Sequence, residues 1–155
     1  MLPKNLLCFS PIRWDYIMRR PQQLLVRFAE NTNVYFFEEP VFDALHDSYL
    51  TYSTRSETLW KVVPHLPLGL TMAQIEDRLA RLLDHFLEKA DLDKWIFWYY
   101  SQTALSFTKN HKPRLVIYDR INGQDHYTDW NAVYLAVSRQ ILSKLSVTDS
   151  IAIVP

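Results

Sequence analysis

Glycine is scarce in this sequence, with two residues among 155, Gly69 and Gly123, against a usual share of ~7%. The glycine-rich loops GxGxxG and GxxxxGK[ST], whose backbone amides cradle phosphate groups, therefore cannot be built. The chain thus lacks the common phosphate-binding loops, and any nucleotide would have to be held by other groups.

Cysteine is almost absent, since Cys8 is the single one. This excludes an internal disulfide framework, and the position of Cys8 inside an apolar run favours a buried, inert thiol over a nucleophile. No histidine has metal-ligand spacing and no HExxH or nucleophile-elbow motif is present, so no metal site is expected. The histidines are His46, His65, His85, His111 and His126.

Net charge and long hydrophobic runs are also missing. Seventeen basic and seventeen acidic residues cancel, so no overall field attracts nucleic acid, and no nucleic-acid partner is expected. No apolar run approaches the ~20 residues of a membrane span, and the five-residue run at the start is too short for a signal peptide. We therefore expect a cytoplasmic protein without a transmembrane segment.

What the sequence does contain is an alternation of short apolar runs with amphipathic stretches, which is typical of an α/β protein with a mainly parallel sheet. Several runs are apolar at consecutive positions, as in strands covered on both faces. We predict one domain with strand order 3-2-1-4-5. The predicted strands are 5–9, 33–39, 58–64, 94–100, 114–119 and 150–154.

Four helices are predicted between these strands, from apolar stripes and from residues that start or end helices. Pro21 suits the first turn of the first helix, and Thr71 is a plausible cap for the clearest one. Residues 43–70 are less regular, and a hairpin followed by a proline-fixed loop is expected there. The first predicted helix covers 20–31. The other three cover 72–90, 101–111 (opened by Ser101) and 129–146.

The stretch SPIRWDYIMRRPQ (10–22) follows the first predicted strand, where ligands bind in open parallel sheets. Arginines are forked donors for phosphate or carboxylate, and aromatic rings can stack on sugars. In the alternative, structural interpretation, the tryptophan fills the sheet edge, the aspartate caps a turn and the arginines are solvated. The residues concerned are Arg13, Trp14, Asp15, Tyr16, Arg19 and Arg20.

Other strand ends carry polar candidates. Glu38 and Glu39 alternate faces, so they cannot form a close carboxylate pair, and one is expected to face the crevice while the other faces outward. An acid there can bind sugar hydroxyls or be plain surface charge. Tyr100 and Ser101 precede a predicted helix, whose first amides could bind an anion, although Ser101 is also a plausible N-cap. Asp119 ends an otherwise apolar strand.

Several segments together resemble the amino-terminal half of bacterial glycosyltransferases of the two-Rossmann-domain (GT-B) class. The most similar group acts in teichuronic acid and cell-surface polysaccharide synthesis, sometimes beside UDP-galactopyranose mutase. The resemblance runs in order from about residue 5 to 123, and its opening is the most specific part. The matching segments are CFSPIRWDYIMRRPQQLLVRFAENTNVYFFEEPVFD, VVPHLPLG, IFWYYSQTALSFT and PRLVIYDRING.

This resemblance implies a Rossmann-like three-layer sandwich, one half of a GT-B fold, spanning residues 1–155 and binding mainly the acceptor. The expected substrates are a nucleotide-sugar, as co-substrate rather than cofactor, and a glycan or lipid-linked acceptor, with no metal in the mechanism. Asp15 and Asp119 are the catalytic candidates. Motif matches and strand-end positions together predict these substrate-binding residues: Ser10, Arg13, Trp14, Asp15, Arg20, Glu38, Glu39, Tyr100, Ser101 and Asp119.

The sequence also departs from the family. After the tyrosine and aspartate at 118–119 the family continues with acids, whereas here Arg120, Asn122 and Gly123 follow. The donor-binding half is not present in these 155 residues, so the chain is expected to be incomplete alone and to need a second polypeptide that carries that half. A peripheral location of the chain at the inner face of the membrane is compatible with this expectation. The alternative is a non-catalytic sugar-binding or assembly module. A small flavodoxin-like nucleotide binder is disfavoured by the shortage of glycine.

Overall fold

An eight-stranded sheet forms the centre of the computed structural model, which describes residues 3–101, 103–119 and 151–154. The helices are α1 (Arg20–Phe28), α2 (Met72–Phe86) and α3 (Leu105–Thr108), with a short 3-10 turn at Leu92–Lys94. The strands are β1 (Asn5–Ser10), β2 (Asn33–Glu38), β3 (Val41–Ala44), β4 (Tyr49–Ser56), β5 (Leu59–Pro67), β6 (Trp95–Tyr99), β7 (Leu115–Asp119) and β8 (Ile151–Val154).

The sheet order is β5-β2-β1-β6-β7-β8, all parallel, with β4 antiparallel on the outer edge of β5. The short strand β3 follows β2 along the inner edge of β5 and was not predicted. Counted over the predicted strands, this is the expected order 3-2-1-4-5, with the sixth strand beside the fifth. The prediction of a mainly parallel α/β sandwich is confirmed.

Two apolar layers hold the sheet, because alternate residues of each strand point to opposite faces. Leu6 and Cys8 of β1 face α1 together with Trp98 of β6. Leu7 and Phe9 of β1 belong to the other layer, toward α2 and α3. All five of these side chains are buried, which explains why β1 is apolar at consecutive positions.

The helix α1 forms where the sequence predicts it. Pro21 lies in its first turn, and the side chain of Gln22 accepts a hydrogen bond from the Arg19 amide at 3.0 Å. The apolar stripe of α1 is buried against the sheet, as expected from its spacing. That stripe consists of Leu24, Leu25, Phe28 and Ala29.

The helix α2 is capped by Thr71, whose hydroxyl accepts a hydrogen bond from the Gln74 amide at 3.2 Å. The cap is thus confirmed, while the helix ends at Phe86 rather than at residue 90. Before it, β4 and β5 form the predicted hairpin. The turn from β5 to α2 uses Gly69 at φ 81°, a conformation that favours glycine.

Two expectations are corrected by the structure, and a third concerns residues outside the described ranges. Ser101 does not open a helix, because α3 is a single turn that begins at Leu105 with Ala104 before it; no helical amides are therefore available at Ser101. The strand predicted to end at residue 64 continues to Pro67, so His65 lies in β5 and not in the expected proline-fixed loop. The predicted helix at 129–146 lies outside the described residues. Within the described ranges, no helix combines the length and apolar character that crossing a membrane requires.

Candidate functional site

The strand order reverses at β1, which has β2 on one side and β6 on the other. Chain connections leave this point in opposite directions, so a crevice opens beyond the carboxyl ends of these strands. Ser10, Glu38 and Tyr99 are the last residues of the three strands. The predicted site residues that follow them are thereby brought to one edge of the sheet.

On the side of the sheet that faces α1, Arg13, Glu38 and Trp14 form a closed group, here called the Arg13 cluster. The Arg13 guanidinium donates to Glu38 Oε2 at 3.1 Å and to the carbonyls of Glu39 and Pro40. The Trp14 amide donates to Glu38 Oε1 at 2.7 Å. Glu38 is buried, so its carboxylate anchors the loop after β1 and is not surface charge.

Trp14 is buried, and its ring packs edge-on against Phe36 with centroids 5.0 Å apart. Tyr100 is likewise buried in the α1-side layer, next to Trp98. Neither ring presents a face on which a sugar could stack, and the structural interpretation of Trp14 agrees with its position. Tyr16, in contrast, is 82% exposed.

Asp15 turns away from the crevice toward the β4–β5 hairpin. Its carboxylate accepts hydrogen bonds from Arg55 at 3.0 and 2.6 Å and from Lys61 at 2.6 Å. These bonds hold the pKa of Asp15 below its usual value, the contact with Arg55 having the largest effect. An ionised, ion-paired carboxylate is a weak proton acceptor, which argues against Asp15 as a general base.

On the opposite side of the sheet, Glu39, Ser101 and Thr103 form a second polar group, here called the Glu39 cluster. Glu39 Oε1 accepts from Ser101 Oγ at 3.2 Å and from Thr103 Oγ1 at 3.3 Å, and the two hydroxyls lie 2.7 Å apart. The cluster joins the residues after β2 to those after β6, across the end of β1. Among the described residues, no hydrogen bond reaches Glu39 Oε2, so this oxygen can accept one from a ligand.

The remaining predicted residues lie near the same edge. Ser10 is buried, and its hydroxyl accepts from the Ile12 amide at 3.0 Å, which shapes the turn after β1. Arg20 is the first residue of α1. Asp119 ends β7, one strand beyond β6. The strand-end argument thus places these backbone positions together, as the topology requires.

A cavity of about 330 Å³ lies beside the Glu39 cluster, between the sheet and the helices α2 and α3. This volume is at the lower end of the range for small-molecule sites. Its walls are mainly apolar and come from three parts of the chain: Phe9 and Phe37 in the sheet, Ile75 and Leu79 in α2, and Ala104 and Phe107 around α3.

The charged residues that line this cavity are all acidic, namely Glu38, Glu39 and Glu76, and the carboxylate of Glu38 is directed to the other side of the sheet, toward Arg13. Among the described lining residues, none is lysine, arginine or histidine. Glu38 is compensated by Arg13, whereas in the described part of the chain no ion pair forms at Glu39 or Glu76. The cavity is therefore apolar in its walls and negative in its charge. In the same ranges, no group of three or more His, Cys, Asp or Glu side chains could hold a metal ion.

Several residues of this site were not among the predicted ones. Thr103 completes the Glu39 cluster, and Phe42, Met72 and Glu76 line the cavity. Phe42 comes from the unpredicted strand β3, and the other two lie on α2, whose register against the sheet is set by packing. Thr103, two residues after Ser101, is the one that the strand-end argument could have reached.

Comparisons with known proteins bear on the fold. No protein-family model matches this chain, and a search among curated proteins finds no similar sequence. Two solved structures are similar at 10% identity. The first, "Trehalose-6-phosphate from E. coli bound with UDP-2-fluoro glucose", has a TM-score of 0.52 over 89% of this chain and 38% of that one. The second, a sucrose-phosphate synthase from Thermosynechococcus elongatus, has a TM-score of 0.51 over 92% of this chain and 100% of that one.

These comparisons establish the fold of the chain as that of a GT-B glycosyltransferase domain. The chain spans about two fifths of the E. coli protein, 38% of its length. The predicted fold class is thereby confirmed.

Proposed function

We propose that this chain is the acceptor-binding domain of a glycosyltransferase that moves a sugar from a nucleotide-sugar to a glycan or lipid-linked acceptor. The observation that carries the proposal is the position of the cavity and the Glu39 cluster. They lie at the reversal of strand order in a sheet with the fold of a GT-B domain. In open α/β sheets this is where ligands bind.

In this proposal the two polar clusters have different roles. Glu39, Ser101 and Thr103 hold and orient acceptor hydroxyls, because a free carboxylate oxygen and two hydroxyls face the cavity. Arg13, Glu38 and Trp14 fix the loop that borders it. Orientation of the attacking hydroxyl at the donor's anomeric carbon is a large part of what such a site contributes to the rate.

Two acids were predicted as catalytic, and Asp119 is the better candidate. Its backbone lies at the end of β7, near the crevice, whereas the carboxylate of Asp15 is occupied by Arg55 and Lys61. The site residues proposed for ligand contact are accordingly Glu39, Ser101, Thr103 and Asp119. Ser10 borders the cavity, and Arg20 lies at the start of α1.

The proposal extends to the biological setting that the sequence resemblance implies. The transfer would belong to cell-envelope polysaccharide synthesis of the teichuronic acid type, in the cytoplasm or at the inner face of the membrane. It would need no metal or cofactor. A donor-binding domain, on a second polypeptide or in further sequence, would complete the enzyme, which agrees with the chain spanning 38% of the E. coli protein.

Saturation-transfer NMR with the purified chain tests the acceptor role. We expect signals from neutral oligosaccharides of the cell wall. Glu39→Ala should weaken binding by about tenfold, the usual effect of losing a charged hydrogen bond. Asp77→Ala is the control, because Asp77 is an exposed acid of α2 outside the cavity lining. No signal from any glycan, or equal binding by both variants, would contradict the proposal.

Transfer activity separates an enzyme from a non-catalytic module. One preparation is the complex, the tagged chain isolated from its own cells together with its bound partners, and the other is the chain purified alone. Each would be incubated with radiolabelled nucleotide-sugars and membrane lipids or glycans. We expect labelled product from the complex and none from the isolated chain. Glycan binding without product in both preparations would favour the non-catalytic module.

A further inference from the structure

The cavity beside the Glu39 cluster has a polar end, and its remaining walls are mainly apolar. Its polar end is formed by Glu39, Ser101 and Thr103, with one carboxylate oxygen to which no described residue donates. The walls include aromatic and aliphatic side chains from the sheet, α2 and α3. A sugar ring can satisfy the polar end and can stack on an aromatic ring, but the aliphatic side chains Ile75 and Leu79 of the walls are better matched by an apolar group.

The charge of the cavity limits what can enter it. Glu39 is half-buried and Glu76 is exposed, and no described residue forms an ion pair with either carboxylate. Arg13, which contacts the adjacent residue Glu38, donates to that carboxylate and to two carbonyls. A phosphate group in this cavity would meet two like charges and no described cation, so it would be repelled.

We propose that this cavity binds the uncharged, apolar group carried by the acceptor sugar, such as an alkyl or aryl aglycone, and discriminates against phosphorylated sugars. The sugar hydroxyl next to the aglycone donates to Glu39 Oε2, and the aglycone lies between Phe37 and the α2 side chains Ile75 and Leu79. This inference rests on the proposed function, since it takes the cavity as part of the acceptor site. It adds the chemical class of the acceptor and the groups that select it.

A series of alkyl glycosides tests the apolar part directly. Ethyl, butyl, hexyl and octyl glucosides and galactosides, below their micelle concentrations, would be titrated into the full chain by calorimetry. Affinity should rise about fourfold for each methylene that is buried and level off when the cavity is full. Ile75→Trp, which enlarges a half-buried wall residue, should remove the dependence on chain length while binding of the ethyl glycoside persists.

Two neighbouring acids of α2 test the charge selection. Glu76 lines the cavity and Asp77 does not, while both are exposed. Glu76→Lys should raise the affinity for glucose 6-phosphate and glucose 1-phosphate by about tenfold, because a repulsive charge becomes an attractive one. Asp77→Lys changes the net charge equally and should leave the affinity within about twofold.

The outcomes separate this inference from the proposed function. If sugar phosphates bind the wild-type chain as tightly as octyl glycosides, or if affinity does not depend on alkyl length, the inference is overturned and acceptor binding stands. If neither glycosides, free sugars nor sugar phosphates bind, the acceptor role itself fails. The inference is supported if affinity rises with alkyl length in the wild-type chain but not in Ile75→Trp. It also requires that sugar phosphates bind the wild-type chain weakly and that Glu76→Lys strengthens their binding.

Discussion

Glu38 and Glu39 are adjacent in the chain, yet they belong to two regions with opposite properties. Glu38 turns toward the α1 side, where it is buried and receives hydrogen bonds from Arg13 and the Trp14 amide. Glu39 turns toward the α2 side, where it is half-buried and lines the cavity with two hydroxyls beside it. The Arg13 cluster is thus closed by its own hydrogen bonds, whereas the Glu39 cluster has an oxygen left for a ligand.

The difference teaches that the same residue type serves structure or ligand binding according to the partners that surround it. A buried carboxylate must be paired, and once paired with arginine and a backbone amide it has little capacity left. An acid at the edge of a cavity can keep part of its capacity because water satisfies it until a ligand arrives. Substitutions in the two regions should therefore differ in kind, with stability lost in one and ligand selection changed in the other.

Removing the Trp14 ring should have the largest effect on stability. Trp14→Ala is expected to lower the free energy of unfolding by about 3–5 kcal/mol, because it leaves a cavity next to Phe36 in the core. Phe42→Ala is the matched aromatic control on the cavity side, where Phe42 is 38% exposed, and it should cost about 1 kcal/mol or less. Urea unfolding measures both, and equal losses would contradict the distinction between the regions.

Replacing each glutamate by glutamine should give smaller losses of stability, which again differ between the two regions. Glu38→Gln removes the charge that Arg13 contacts, and the loss should be about 2 kcal/mol, since Arg13 keeps partial contact with water. Glu39→Gln is expected to change stability by under ~0.5 kcal/mol. Chemical denaturation of both variants at neutral pH is the measurement. A larger loss for Glu39→Gln would show that the roles are reversed.

Asp15 should give the smallest effect, and one that depends on pH. Its folded-state pKa lies below the usual value, so its contribution is complete above the unfolded pKa of about 4 and disappears as pH falls through the lower, folded value. Asp15→Asn should cost about 0.5–1 kcal/mol at pH 7, because the carboxylate is 53% exposed and its ion pairs are weakened by solvent. The wild-type advantage should shrink below pH 4 and in 1 M salt. A difference that persists at low pH would point to packing.

Much of the fold could be predicted from the sequence, because its signals are local. Consecutive apolar residues in β1 and β6 require strands covered on both faces, and the order of strands and helices then leaves few topologies. The stripe of α1, the Thr71 cap and the β4–β5 hairpin follow from spacing and turn chemistry. The strand β3 was missed because it is short and carries no such pattern. The prediction that Ser101 opens a helix was wrong because its hydroxyl bonds to Glu39 and Thr103, and α3 begins only at Leu105.

The position of the candidate site could be predicted from the sequence, but not which of its residues are closed off by partners and which can contact a ligand. Topology alone places the residues after β1, β2 and β6 at one edge of the sheet, and the predicted set lies there. That assignment depends on distances between side chains that are far apart in the chain. Asp15 is bound by Arg55 and Lys61, which are 40 and 46 residues away in sequence, and no local pattern marks that pairing.

The sequence by itself determined the class of this protein, an α/β domain with a parallel sheet and a polar edge at its strand ends, since periodicity and residue type act over a few neighbours. Only the tertiary structure decided which acid is closed off and which lines the cavity. That choice depends on where distant partners lie, because Arg13 contacts Glu38 on the α1 side of the sheet and Ser101 contacts Glu39 on the other side. It also depends on the packing of α2 and α3, which builds the apolar cavity from segments that are distant in the chain.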